Sequence, residues 1–456
     1  DENRGTVYFG TGSPSSDFYG GNREGENLYA NCIMALDAAT GTRKWHYQTI
    51  MHDLWDRDIS CPPNLTTITV AGRKTDVVVQ ATKDGLVYVL DRDTGEPVFP
   101  VEERPVPVKG LPGEHPWPVQ KYPVKPKPFV RQVITEEELT DISESAHQAV
   151  KAEFDTLESR HKFLPPSEKG TLLIGYSGGA EWGGNAIDDE GILYVNANEE
   201  PWVVKMIDAN RFDHKKGISE GEKHYLKNCA MCHGADRKGG AQFPELLQLK
   251  ERMKKEQFLK LVRSGSGRMP AFPHVSETEV RQLLAYIWGE KETLSVEEAE
   301  HLAQDRQQQD TVFGFRPRYL VASWKQFKDP EGYPGIKPPW GTLTAINLHT
   351  GDHLWQVPLG TYPELRERSI ATTGTDNYGG PVVTAGGLVF IAATKDSKIR
   401  AFDSSDGKIL WEYELPEAGF ATPVTYTAKG KQYMVIAAGG GRRTPSGGKY
   451  IAFSLD

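Results

Sequence analysis

Four segments of this chain share one grammar, and that repetition restricts the fold more than any other feature. They are ALDAATGTRKW (Ala35 to Trp45), VLDRDTGEPVF (Val89 to Phe99), AINLHTGDHLW (Ala345 to Trp355) and AFDSSDGKILW (Ala401 to Trp411). Each runs a short apolar strand into Asp or Asn, turns with Gly at the seventh position and reaches an aromatic at the eleventh. The Gly supplies the positive φ that a tight hairpin turn requires, and the aromatic is placed to pack on a neighbouring sheet. The first pair of copies is offset by 54 residues and the last pair by 56. Such a recurrence means stacked sheet modules, a propeller or a solenoid, and four-stranded blades fit the period. At 456 residues, with 46 Gly and 30 Pro, the chain is too long for one core and rich enough in turn residues for many strands.

No clean copy occurs between the second and third segments. GILYVNANEEPWVV (Gly191 to Val204) reads there as a degraded blade. The stretch from Pro100 to Pro128 holds nine prolines, which predicts an extended, solvated strap with little regular hydrogen bonding. TEEELTDISESAHQAVKAEF follows as a polar helical stretch. From Gly217 to about Glu290 the period changes to that of helices. SEGE at 219–222 and SETE at 276–279 are capping boxes. Val280, Leu283, Leu284 and Ile287 form an apolar helical stripe, and KKEQFLKLV (Lys254 to Val262) makes a third helix. The expected order is propeller blades over 1–210 with an insertion at about 100–168, an all-α domain over 211–295, a linker over 296–312 and further blades over 313–456.

Within the helical insertion stands NCAMCHGADRKGG. Two thiols on one helical turn, Cys229 and Cys232, can add to the two vinyl groups of haem, and His233 then places an imidazole under the iron. A methionine thioether suits the sixth position in electron transfer. Met269, 36 residues beyond His233 in the stiff loop GSGRMPAFP, is the candidate; Met231 is inside the binding loop, Met253 lies in a charged helix, and His274 is the nearest histidine. A zinc site would need a fourth ligand in the cluster, and a thioredoxin-like pair would need a βαβ setting. The region resembles a class I c-type cytochrome throughout, including the MPAFP loop and the AYIWG helix end, which implies covalent haem c and an oxidising, extracytoplasmic compartment. For Cys32 and Cys61 the sequence leaves a disulfide and two buried thiols equally open.

A net charge of −9 argues against a nucleic-acid partner, and no stretch reaches the roughly 18 apolar residues of a membrane span. Outside the helical insertion, TGSPSSDFYGGNR, MHDLWDRD, ATKDGLVYVLDRDTG, GAEWGGNAID, GYPGIKPPWGTLTAINL, NYGGPVVTAGGLVFIAAT and ATPVTYTAKGKQYMVIAAGG closely resemble the pyrroloquinoline quinone (PQQ)-dependent alcohol and glucose dehydrogenases. The sugar dehydrogenase branch is the nearest. The resemblance implies a mainly β fold, part of an eight-bladed quinoprotein-type propeller with an inserted all-α cytochrome c domain. It implies a periplasmic enzyme that oxidises an aldose such as glucose, or an alcohol, and passes electrons through haem c to a soluble cytochrome or respiratory chain.

Carried over residue by residue, Asp56 in HDLWD is the base and a calcium ligand, and Lys83 in ATKDG pairs with the quinone oxygens. Trp182 in GAEWGG lines the cofactor pocket. Ser13 stands where many relatives place an asparagine calcium ligand. Asp53 reads as local hydrogen-bonding support for the base. About five blades are recognisable, so the expectation is that N-terminal blades of an eight-bladed ring are missing from this chain. The rival reading is a non-catalytic propeller scaffold with an electron-carrier cytochrome.

Overall fold

The computed structural model describes residues 1–209, 219–234, 236–239, 243–267, 269–273, 275–290, 318–370, 372–441 and 444–454. All four repeated segments form the same hairpin. Gly41, Gly95, Gly351 and Gly407 have φ between 71° and 76°. Each donates its N–H to the carbonyl of the Asp or Asn four residues earlier, at 2.7–2.9 Å. The side chains of Asp37, Asp91, Asn347 and Asp403 accept from backbone N–H groups inside the turn. The local sequence thus closes its own turn, as Asx residues do.

The described strands make six sheets of three or four antiparallel strands and one two-stranded ribbon. The first sheet contains β1 (Thr6–Gly10), β2 (Cys32–Asp37) and β3 (Arg43–Gln48); the second contains β4 (Asn64–Val70), β5 (Arg73–Ala81) and β6 (Val87–Asp91). The ribbon is β7 (Val101–Pro105) with β8 (Val119–Pro123). The third sheet holds β9 (Thr171–Leu173), β12 (Trp202–Asp208) and β13 (Tyr319–Gln326). The fourth holds β10 (Ala186–Ile187), β11 (Ile192–Asn198), β14 (Gly341–Asn347) and β15 (Asp352–Pro358). The fifth runs β16 (Val382–Val383), β17 (Leu388–Ile391), β18 (Lys398–Asp403), β19 (Ile409–Glu414). The sixth runs β20 (Val424–Ala428), β21 (Lys431–Gly441), β22 (Thr444–Phe453).

Five of these sheets stack in a row, and the aromatic at the eleventh repeat position joins them. A methyl group on Gly95 would stand 2.7 Å from the Trp45 ring, one on Gly407 2.7 Å from Trp355, and one on Gly351 3.5 Å from Phe99. Trp45, Phe99 and Trp355 therefore rest on the turn glycine of the next blade, and Trp411 meets Phe453 of the sixth sheet, with ring centres 5.3 Å apart. Trp45 and Trp355 also donate their indole N–H to Arg92 O (3.1 Å) and Ser404 O (2.9 Å) in the next turn. Apolar clusters between first and second, second and fourth, fourth and fifth, and fifth and sixth sheets follow the same order.

The third sheet lies outside that row and corrects one expectation. GILYVNANEEPWVV is not a single degraded blade: its first half is β11 of the fourth sheet and its second half β12 of the third. The helical unit leaves after β12 and returns into β13, and the two strands pair from Asp208↔Tyr319 onward. An insertion between adjacent antiparallel strands keeps the sheet intact and hides its register from the sequence. A second correction concerns the proline-rich stretch. It pairs regularly over Val101↔Pro123 to Pro105↔Val119, because in a two-stranded ribbon every strand is an edge, where proline is tolerated. In the stretch after it, a 3₁₀ turn over Glu136–Glu138 precedes the helix Glu144–Phe154.

The insertion folds around its own core. Helices Glu220–Asn228, Ala230–His233, Leu249–Arg252, Lys255–Ser264 and Glu277–Trp288 enclose Tyr225, Phe258, Val280, Leu283, Leu284 and Ile287. Ser276 and Glu279 cap the last helix reciprocally, and Ser219 accepts from Glu222 N at the first. The interval 296–312, expected as a linker, and His274 lie outside the described residues. No helix among the described residues is long and apolar enough to cross a membrane.

Candidate active site and redox centre

The Asp56 and Lys83 side chains meet although they come from different sheets. Asp56 lies in the loop between β3 and β4, and Lys83 in the turn between β5 and β6. Lys83 Nζ donates to Asp56 O at 2.6 Å and lies 3.4 Å from both Asp56 Oδ2 and Asp58 Oδ2. Ser13 joins the same group: its Oγ lies 3.1 Å from Asp17 Oδ1 and 3.3 Å from Asp56 Oδ1, and its N–H donates to Asp58 Oδ1 (2.6 Å). Asp56 has φ +53°, a left-handed backbone that is uncommon outside glycine and is held by its surroundings.

Asp53 provides that support. Its carboxylate accepts from Trp55 N (2.7 Å), Arg57 N (2.8 Å) and Asn31 Nδ2 (2.8 Å), fixing the loop. The Lys83 turn is anchored too. The neighbouring Asp84 forms a buried ion pair with Lys162 at 2.7 Å, and Gly179 donates to Lys83 O at 2.5 Å. A Cβ on Gly179 would fall 2.8 Å from Gly85 Cα, and one on Gly183 would meet the backbone of Gly379 at 2.1 Å. Gly179 and Gly183 therefore lock that loop against the Lys83 turn and the NYGG loop. Between them Trp182 is 64% exposed.

Burial raises Asp56 to about 8, with Asp17 and Asp58 adding repulsion and Lys83 opposing. Asp17 is pushed up to about 6, first by burial and then by Asp53. Burial would raise Asp58 as well, but Lys83 and Ser13 N–H outweigh it and hold the carboxyl low. Three carboxylates thus share one lysine. A cation beside a buried carboxylate restores its charged form, and all-oxygen donors are what calcium takes. Among the described residues, however, no three acidic or other ligating groups converge on one point. Asp56 and Ser13 share an oxygen-rich pocket with Asp17 and Asp58. Sequence reasoning passed over Asp17 and Asp58; Asp58 stands two places after Asp56 in HDLWDRD, and a third acid in that motif was the available signal.

Cys229 ends the helix Glu220–Asn228 and starts the short helix that carries Cys232 and His233. Neither thiol is in a disulfide, and burial raises both, Cys229 to about 12. His233 Nδ1 is 2.8 Å from Pro244 O, which fixes the ring and leaves Nε2 as the nitrogen available to a metal. Gly239 N donates to His233 O (2.8 Å), and Tyr225 OH to Gly234 O (2.6 Å). Met269 is held by reciprocal 3.0 Å backbone bonds with Ser266. It borders the same core as Cys229, and so does Met253. The donor set fits a covalently attached haem. Cys32 and Cys61 are separate buried thiols, donating to Ala30 O and Ala81 O.

Residues 1–243 and 274–434 match the family described as PQQ, glucose/ethanol/alcohol dehydrogenase, beta-propeller domain. Residues 217–287 match cytochrome c oxidase, cbb3-type, subunit III. The chain belongs to the glucose/ethanol/alcohol dehydrogenase β-propeller family and carries a cytochrome c unit within it; PQQ and haem c are the cofactors that go with these two units. A quinate/shikimate dehydrogenase (quinone) of Acinetobacter baylyi is 30% identical over 100% of this chain and 48% of its own length. A quinoprotein glucose dehydrogenase of Escherichia coli is 31% identical over 98% of this chain and 47% of its own. A europium-containing methanol dehydrogenase shares the fold, with a TM-score of 0.51 at 18% identity over 96% of this chain and 50% of that one. The chain spans about half the length of the curated relatives it matches.

Proposed function

We propose that this chain carries the chemistry of a periplasmic quinohaemoprotein dehydrogenase. It oxidises a hydroxyl or hemiacetal of an aldose such as glucose, or of an alcohol, and sends the electrons through haem c to an external acceptor, a soluble cytochrome or respiratory chain. The observation that carries this reading is the buried meeting of Lys83 with Asp56 and Asp58. The relatives support the substrate class: their names give quinate/shikimate, glucose and, in Gluconobacter oxydans, glycerol, all hydroxyl compounds.

PQQ, when bound, supplies a two-electron acceptor for the substrate carbon. The chain's own residues do the rest. Asp56 takes the hydroxyl proton on a carboxylate oxygen, which a calcium ion held in part by Asp56 and Ser13 would keep charged. Lys83 holds a fixed positive charge in a dry pocket, where it stabilises developing negative charge on an adjacent oxygen. Trp182 offers an open indole face as a wall for a planar cofactor. Cys229 and Cys232 would hold the haem covalently, and His233 and Met269 would ligate its iron.

The rival reading is a non-catalytic propeller scaffold with an electron-carrier cytochrome; burial holds Asp56 at about 8, so a cation beside it is what would let it act as a base at neutral pH. The discriminating experiment loads the haem-bearing protein with PQQ and calcium and offers a panel of sugars and alcohols with a dye acceptor. Dye reduction by one class supports the dehydrogenase; silence across the panel supports the scaffold.

A further inference from the structure

The two sites are joined by a row of rings. Lys83 Nζ lies 5.2 Å from the centre of the Tyr176 ring. Tyr176 meets Trp324 edge to face at 4.7 Å. Trp324 is 5.8 Å from Phe243, and Phe243 is 6.3 Å from His233. Trp202 stands beside the row, 5.2 Å from Tyr176 and 5.0 Å from Trp324. Every step is within the 4.5–7 Å range of touching aromatic pairs. Resting on the dehydrogenase reading above, we propose that Tyr176, Trp324 and Phe243, with Trp202 alongside, form an aromatic bridge that carries electrons from the Lys83 pocket to the haem.

The fold explains how the bridge is built. Trp202 is on β12 and Trp324 on β13, the two strands that the cytochrome insertion separates in sequence and that pair again in the third sheet. The short helix of Cys232 and His233 packs on β13. The point of insertion therefore sets the haem motif against these rings. Tyr176 borders the carboxylate pocket: after burial, the charges that bear on it most are those of Asp56, Asp17 and Asp58.

The choice of side chain is informative. Trp324 Nε1 is buried with no hydrogen-bond partner among the described residues, and an orphaned buried donor costs about 1–3 kcal/mol. Leucine or phenylalanine would fill the space without that cost. An indole kept there has a use for its ring, and π-systems of Trp and Tyr are the most readily oxidised groups that packing can place in a row. The balance is simple. A haem iron takes one electron at a time, so the two electrons from one substrate cross in succession. Each crossing oxidises the reduced cofactor by one electron, converts one ferric iron to ferrous and leaves the rings unchanged. The protons leave at the pocket.

The test uses the haem-bearing protein with Trp324→Leu, Trp324→Phe and Phe243→Leu. In the PQQ- and calcium-loaded protein, stopped-flow should show substrate-driven haem reduction slowed in both leucine variants and largely retained in Trp324→Phe. Dye reduction by substrate and haem reduction by ascorbate should keep their rates. In quinone-free ferric protein, ultraviolet excitation of tryptophan should photoreduce the haem, and Trp324→Leu should lower the yield. If Trp324→Leu fails to fold, Phe243→Leu still decides. Wild-type rates and photoreduction yields in the leucine variants would overturn the bridge. Lost photoreduction together with no dye reduction by any substrate would uphold the bridge and remove the dehydrogenase reading alone.

Discussion

Replacing Lys162 by Met tests how the Lys83 turn is held. Lys162 Nζ lies 2.7 Å from Asp84 Oδ2 and 2.6 Å from Gln132 Oε1, and the side chains of Lys162 and Asp84 are each 4% exposed. Methionine keeps the alkyl volume but removes the charge, leaving Asp84 buried without its main partner. Breaking such a pair costs about 3–5 kcal/mol. Arg57 also acts on Asp84, so the cost should fall near the lower end, about 3 kcal/mol. The double variant Asp84→Asn with Lys162→Met removes the orphan charge and should be less destabilised than Lys162→Met alone. Urea unfolding followed by tryptophan fluorescence reads the propeller, and haem absorbance reads the insertion separately, because two units need not unfold together. Substrate-driven turnover should fall with Lys162→Met as the Lys83 turn loosens, while ascorbate still reduces the haem. A loss under about 1 kcal/mol, the size of one ordinary hydrogen bond, or a double variant no better than the single, would refute the anchoring argument.

The same pair gives a pH dependence. Burial would raise Asp84, but Lys162 and Arg57 outweigh it and hold the carboxyl below its usual range, so the folded chain binds that proton more weakly than the unfolded one; wild-type stability relative to Asp84→Asn should be fully present above the ordinary carboxylate range, about pH 4, and be lost as pH falls below it. Trp355→Phe keeps a ring on Gly407 but loses the bond to Ser404 O, and should cost about 1 kcal/mol in denaturant melts. Gly407→Ala should cost more, about 1–3 kcal/mol, since its φ is +74° and the new methyl meets the Trp355 ring. Met269→Ala should abolish the weak far-red methionine-to-iron band of the oxidised haem; a surviving band would assign the sixth ligand elsewhere, with Met253 next to be tested.

The stacked blades were legible because their signals are local: a turn glycine, an Asx residue and an aromatic within eleven positions. The third sheet was not, because β9, β12 and β13 come from separate stretches and the cytochrome stands between two of them. Proline content misread the β7–β8 ribbon, since composition reports what a residue forbids inside a sheet and not what an edge permits. At the site, Asp56 and Lys83 were found through motifs. Their partner Asp58 had a signal as the third acid of HDLWDRD, whereas Asp17 and the ring of Tyr176 matter only through distances that chain folding creates. Asp53 was separable from Asp56 in principle, because an acid two residues before a loop N–H is placed to accept from it, as Asp53 does from Trp55.

The most direct measurement is haem reduction by substrate in wild type and Asp56→Asn, each loaded with haem, PQQ and calcium. The amide cannot take the hydroxyl proton, and loss of a general base lowers rates by about 10²- to 10⁴-fold. The account predicts that a sugar or alcohol turns the wild-type haem ferrous, that Asp56→Asn loses this reduction to that extent, and that ascorbate reduces both haems equally. Near-normal substrate-driven reduction in Asp56→Asn would contradict it.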